Sequence, residues 1–252
     1  MTPPELICYP NSSLHTVLLY VALGRNPGRR GTGIMEDLDI ARLTDEIARR
    51  VRARIDGLAL GGKLLVPVGV SARHVHLTRE VMESLFGKGH RLETLRPLSQ
   101  VGEFAAAETV TAVGPSGRAV EDLRILGPLR PFTQVELARS DGLRLGLDLP
   151  VRKTGDLVGS PGITLVGPKG TVVLVEGAVR ATRHIHASET DARRLGLRDC
   201  QVVRARVEGV RALVFDNVEV RVGERFVLDF HIDTDDANAA GVSTGDLAEV
   251  LM

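Results

Sequence analysis

Residues 73–77, RHVHL, are answered by residues 183–187, RHIHA. The chain of 252 residues contains seven histidines, and four of them stand in these two phrases. A random chain of that composition would hold roughly 0.2 His-x-His pairs, so the repetition has a cause. In each copy an arginine precedes the first histidine and a β-branched residue separates the two. On an extended strand, residues i and i+2 face the same side about 6.6 Å apart. Two imidazoles so placed can converge on one cation at about 2.0–2.1 Å from each nitrogen, while Val75 and Ile185 face the other way, into the core. The repetition predicts two related β-rich halves, with His74 and His76 as one ligand pair and His184 and His186 as another.

The surrounding sequence supports strands. Short β-like runs occur at 64–70 (LLVPVGV), 109–113 (TVTAV), 133–138 (TQVELA), 171–177 (TVVLVEG), 211–222 (RALVFDNVEVRV) and 226–232 (FVLDFHI). Gly-Pro or Pro-Gly pairs at 114–115, 127–128, 161–162 and 167–168 mark turns between them. Strands do not alternate with ten-residue helical patterns, which argues against a TIM barrel or a Rossmann sheet. Three further stretches, SDGLRLG (140–146), TDARRLG (190–196) and DDANAAG (235–241), each read as a polar cap, a short helix and a glycine stop. The expected fold is mainly β: two related small β-barrel domains with short capping helices, over 65–180 and 181–252.

The N-terminal part differs. Ile40, Leu43, Ile47, Val51 and Ile55 recur at helical spacing, with acids opening the segment, arginines closing it and Gly57 ending it. We expect an amphipathic helix and linker over 35–64, either packing on the main domain or docking a partner. Residues 1–34 give no placeable pattern, and we expect a flexible N-terminal segment there. Its apolar run at 15–24 is too short to cross a bilayer, and a translation start at Met35 would remove it.

Composition excludes several function classes. Lys+Arg and Asp+Glu both number 32, so no net field draws the chain to nucleic acid or a membrane. Aromatic residues make up 3% and tryptophan is absent, which removes base-stacking platforms. Cys8 and Cys200 form no CxxC pair, as expected for a reducing compartment, and Cys200 reads as structural. No Walker A sequence, no GxGxxG after a strand and no GxSxG nucleophile elbow between a strand and a helix occurs.

Strand alternation supplies further ligands. In TQVELA, Gln134 and Glu136 share the face opposite Thr133, Val135 and Leu137. In FVLDFHID, Val227, Asp229 and His231 oppose the apolar Phe226, Leu228 and Phe230. Arg130 lies between Pro128 and Pro131 on a stiff bend just before Glu136, where a guanidinium suits a phosphate or a developing oxyanion. His15 and His90 read as incidental.

The blocks PVGVSARHVHLT, RILGPLRPFTQVELARSD, VRATRHIHAS and HIDTDDANAAG, in that order, resemble the signatures of the phosphate propanoyltransferase (PduL-type phosphate acyltransferase) family over about residues 64–252. The resemblance implies reversible conversion of acyl-CoA and phosphate to acyl phosphate and CoA, between two β-barrels carrying two Zn2+ ions per chain. It places one zinc on His74, His76 and Glu136, with a position open to sulfur or phosphate, and the other on His184, His186 and His231. It makes Arg130 the catalytic phosphate-holding residue and puts Ser71, Arg124, Leu126, His231 and Asn238 along the CoA site, with Arg96 the nearest basic residue to the CoA phosphates. Ala187 departs from the family pattern, in which methionine often follows the second His-x-His.

The resemblance also implies a cytoplasmic protein or one inside a bacterial microcompartment for propanediol degradation, with homo-oligomeric or shell partners. Two alternatives share the ligand set: a dinuclear zinc hydrolase and a non-catalytic metal-binding β-barrel module.

Overall fold

The computed structural model describes residues 63–252, and the structural account below concerns these alone. The segment 1–34 and the expected amphipathic helix that Gly57 would end lie outside the described residues. The chain runs β1 (Leu64–Ser71), β2 (His74–His76), α1 (Arg79–Phe86), β3 (Thr94–Pro97), β4 (Phe104–Val113), β5 (Ala119–Gly127), β6 (Gln134–Glu136), α2 (Arg139–Leu145) and β7 (Val151–Arg152). It continues with β8 (Ile163–Val166), β9 (Thr171–Leu174), β10 (Ala178–Ala181), β11 (His184–Ala187), α3 (Glu189–Leu195), β12 (Val202–Val207), β13 (Leu213–Val222), β14 (Asp229–Asp233), α4 (Thr234–Ala240) and β15 (Leu247–Leu251).

The expected β architecture with short helices is present, with one difference. Six strands close a barrel in the order β1-β14-β11-β13-β12-β15, whereas the other nine form an open sheet, a half-barrel. Its path runs β7-β10-β6-β2-β5-β4-β8-β9, with β3 paired on β4. Each sheet wraps its own core. Val66, Val68, Ile185, Val220 and Phe230 fill the closed barrel, and Val75, Leu123, Ile125, Val135 and Leu165 fill the open one. Val75 and Ile185, the residues between the histidines, are both fully buried, as the strand alternation requires.

The two halves share one wiring. β2 pairs parallel with β5 and antiparallel with β6, and β11 pairs parallel with β13 and antiparallel with β14. The strand preceding each His-x-His is exchanged between halves. β1 leads into β2 but pairs with β14 of the closed barrel, placing Gly69 opposite His231. β10 leads into β11 but pairs with β6 of the open sheet, placing Val179 opposite Glu136. A division at residue 65 therefore does not follow the sheets: residues 64–71 complete the second barrel, and 178–181 complete the first sheet. Hydrophobic pattern alone marks β1 as a strand and says nothing about which edge receives it.

The short helices occur where expected but begin earlier. Ser188 and Asp233, rather than Thr190 and Asp235, cap α3 and α4, accepting from the backbone N–H of Asp191 and Asp236 at 3.0 and 2.8 Å. At α2 the cap position is Ala138, and Ser140 instead binds Asp235 at the start of α4. Gly146, Gly196 and Gly241 end the helices in the left-handed conformation, as their sequence positions imply. The arginine ahead of each His-x-His gains a role here. Arg73 pairs with Asp141 of α2 at 2.6 Å, and Arg183 forks onto both oxygens of Asp236 of α4 at 2.7 and 2.8 Å. Each arginine ties its histidine strand to the short helix of the same half.

Candidate active site

In the open sheet, His74 stands opposite Glu136 and His76 opposite Gln134. His74 and His76 are 6% and 3% exposed despite their polarity. Their Nε2 atoms lie 3.5 and 3.7 Å from the two Glu136 oxygens. One ligand atom from each of the three residues falls within 4.8 Å of the others, so the trio could hold one metal ion. His74 Nδ1 donates to the Ala72 carbonyl at 2.8 Å, which leaves the Nε2 lone pair facing Glu136. Gln134 completes the arrangement. Its amide donates to Glu136 Oε1 at 2.7 Å and accepts from the Gly155 N–H at 2.8 Å.

Electrostatics favour a charged Glu136, draw a proton towards His74 and keep His76 neutral. Burial works to raise Glu136, but the His74 imidazole beside it outweighs this and holds the carboxyl well below the usual range. Burial lowers His74, yet the Glu136 carboxylate brings it above its ordinary value. Burial, with the charges of His74 and Arg130, pushes His76 down to about 3.

The closed barrel repeats the arrangement with one change: His184 stands opposite His231, where the first half has Glu136. The rings of His184, His186 and His231 lie with centroids 4.6–5.0 Å apart. His184 Nδ1 donates to the Thr182 carbonyl at 2.8 Å, matching His74. Burial, then Arg221, keeps His184 well below the ordinary histidine value, and burial with His231 takes His186 down to about 3. Within this cluster His186 Nδ1 is buried without a hydrogen-bond partner among the described residues, and His231 Nε2, also without a hydrogen bond, faces a carboxylate. An orphaned ring nitrogen such as that of His186 suits a cation. The carboxylate here is Asp229, two residues before His231 and 3.2 Å from its Nε2.

Both clusters and Arg130 line one cavity of about 1020 Å3. A family model described as phosphate propanoyltransferase matches residues 67–243, a span that includes every residue of both clusters. The chain is 49% identical over 210 residues to the phosphate propanoyltransferase of Thermotoga maritima, covering 83% of this chain and 99% of that protein. It is 45% identical over 217 residues to that of Lachnoclostridium phytofermentans, with coverage of 86% and 100%.

The chain belongs to the phosphate propanoyltransferase family.

Family membership makes it an acyltransferase. Of the residues that the family blocks single out for CoA, Ser71, Arg124, Leu126 and His231 line the cavity, as does Arg96. Asn238 does not line it. It is exposed on α4, whose buried face carries Ala237 and Ala240, so the next residue along turns outward. Cys200 is also exposed, and its thiol, raised by the hydrogen bond to Asp199, lies off the cavity.

Sequence reading missed the residues that hold this cavity together. Glu103 accepts from Arg130 Nη2 at 3.0 Å. The same 98–103 loop reaches the other half. Ser99 donates to Asp229 at 2.9 Å, and the Gln100 amide binds the Val227 carbonyl and N–H at 3.0 and 3.1 Å. That clasp explains why the expected strand at 226–232 begins only at Asp229: the Val227 backbone is bound by a side chain instead of a neighbouring strand. Phe226, expected on the core face, stacks on His186 at 4.3 Å. No periodic signal marks residues 98–103, because their partners are distant in the chain: Arg130 lies 27 positions from Glu103, and Val227 and Asp229 lie 127 and 130 positions from Gln100 and Ser99.

Proposed function

We propose that the chain transfers an acyl group, propanoyl in the first instance, reversibly between CoA and inorganic phosphate in the cavity between its two histidine clusters. Two zinc ions would serve it, one held by His74, His76 and Glu136 and the other by His184, His186 and His231. The observation that carries this reading is the presence of both buried clusters and Arg130 on the walls of one cavity. Its volume of about 1020 Å3 lies at the upper end of ordinary ligand sites, about 300–1,000 Å3, which suits an acyl-CoA with a phosphate. The names of the relatives point to the same acyl group and acceptor.

The chain's own residues account for most of the chemistry. Arg130, fixed at its backbone by an N–H bond to the Leu77 carbonyl at 2.9 Å, offers its guanidinium to the attacking phosphate and offsets its charge. A phosphate oxygen forms a bond to the thioester carbon while the carbon–sulfur bond breaks and sulfur leaves as thiolate. Zinc in the first cluster would supply Lewis-acid stabilisation of that thiolate. His76 and His186, kept neutral by burial, present lone pairs at neutral pH. Leu126, Phe132 and Phe226 give the cavity apolar lining, which would help keep water from the reacting carbon.

The test is thiol release from propanoyl-CoA by purified, metal-replete protein with and without phosphate, with the acyl phosphate product followed by phosphorus NMR. Phosphate-dependent release with acyl phosphate formation is expected. Equal release in both conditions would replace this reading with metal-assisted hydrolysis.

A further inference from the structure

The internal repeat assigns a role to a residue outside the motifs. Residues 124–136, RILGPLRPFTQVE, and 219–231, EVRVGERFVLDFH, align without a gap. Strand register fixes both ends of that alignment. Arg124 faces His74 where Glu219 faces His184, and Glu136 faces His74 where His231 faces His184. Between these ends, the same place in each stretch is an arginine: Arg130 in the first half and Arg225 in the second. Both line the same cavity.

The two differ in what they bind. Arg130 is half-buried and paired with Glu103. Arg225 is exposed, and no hydrogen bond or ion pair engages its side chain among the described residues. Its backbone is nevertheless fixed. Phe226 N–H donates to the Gly223 carbonyl at 3.0 Å, the Phe226 ring stacks on His186, and Gln100 clasps Val227. A guanidinium carried on a rigid turn at the wall of a cavity, with its donors unengaged, is built to receive an oxyanion.

We propose that Arg225 is a second phosphate-binding arginine, holding a phosphate group at the mouth of the cavity on the side of the second histidine cluster. The assignment rests on the acyl-CoA and phosphate reading above. That reaction brings two sources of the group: the phosphates of the CoA nucleotide and the inorganic phosphate that attacks.

The test is Arg225→Ala in the metal-replete full chain, whose exposed side chain can be removed without disturbing the core; unchanged thermal unfolding serves as the check. KM is measured for inorganic phosphate, for propanoyl-CoA and for its 3′-dephospho analogue, and calorimetry gives the affinity for CoA and phosphate without turnover. We expect a loss of roughly three- to tenfold in one of these affinities. A loss for propanoyl-CoA that vanishes with the dephospho analogue identifies the 3′-phosphate as the partner, and a loss that persists identifies the diphosphate. A loss for inorganic phosphate identifies the acceptor. Unchanged affinities for both substrates overturn the assignment. If wild-type protein shows no phosphate-dependent turnover while Arg225→Ala still binds CoA or phosphate more weakly than wild type, the catalytic reading falls and the arginine assignment stands.

Discussion

Replacing Glu103 with glutamine removes the carboxylate that occupies Arg130 before phosphate arrives, and phosphate should then bind more tightly. Arg130 Nη2 lies 3.0 Å from Glu103 Oε1, with the two side chains 22% and 34% exposed. Bare attraction at that separation is about 5.5 kcal/mol at an effective dielectric of 20. Desolvation and side-chain ordering remove most of it, and partly exposed pairs retain about 0.2–1 kcal/mol. Phosphate must displace this partner and also approach its negative charge, so both effects of the substitution act in one direction. Taking about 1 kcal/mol gives roughly a fivefold gain in phosphate affinity. The assay is initial-rate thiol release at varied phosphate and saturating propanoyl-CoA. KM for phosphate should fall two- to fivefold, with KM for propanoyl-CoA unchanged. A KM for phosphate that rises would refute the reasoning and make Glu103 a residue that orients Arg130 for binding.

Other outcomes follow from the same geometry. Glu136→Gln should weaken metal binding at the first cluster by at least about tenfold, read as metal retained after dialysis against a graded chelator. Arg130→Ala should keep its metal content and lose phosphate-dependent thiol release. Metal-free protein should lose stability as pH falls below about 6.5, because His76 and His186 are held near 3 in the folded chain and take up protons more readily when unfolded. Each contributes a slope of up to about 1.4 kcal/mol per pH unit, measurable by urea denaturation between pH 7 and 4 (roughly the window set by those values). His74, raised by Glu136, acts in the opposite sense: its bound proton stabilises the metal-free fold below about 6.5, and that contribution is lost as pH rises through its folded value. Gly114→Ala should cost roughly 1–3 kcal/mol, since its Cβ would lie 2.0 Å from the Leu145 carbonyl oxygen.

Much of the site was legible because strand periodicity is local. The i, i+2 spacing put each histidine pair on one face and sent Val75 and Ile185 to the core; the alternation around Glu136 and His231 offered both among several candidates, and the family resemblance assigned each to its cluster. Local signals could not supply partners distant in the chain. Gln134 faces the same side as Glu136, but its double hydrogen bonding depends on Gly155. Asp229 was placed on the histidine face, yet its hydrogen bond comes from Ser99. The caps of α3 and α4 were misplaced by two residues because several polar residues cluster at each helix start and backbone geometry chooses among them, while α2 begins after Ala138 with no side-chain cap at all. The closure of one sheet and not the other depends on where β1 lands, and no short-range pattern encodes that.

The exchange of β1 and β10 constrains how the chain can be assembled. β1 is made before any other described strand, but both of its neighbours, β14 and β15, are among the last. During synthesis, Leu64–Ser71 must remain unpaired while more than a hundred later residues are added, and its apolar edge is exposed throughout. Barrel closure is therefore an event of chain completion, with a large loop entropy to overcome. Conversely, a ribosome stalled before β14 would leave an open sheet in which His74, His76 and Glu136 can already meet while the cavity has no opposite wall. A metal-binding half could thus exist on the nascent chain before a catalytic cavity does.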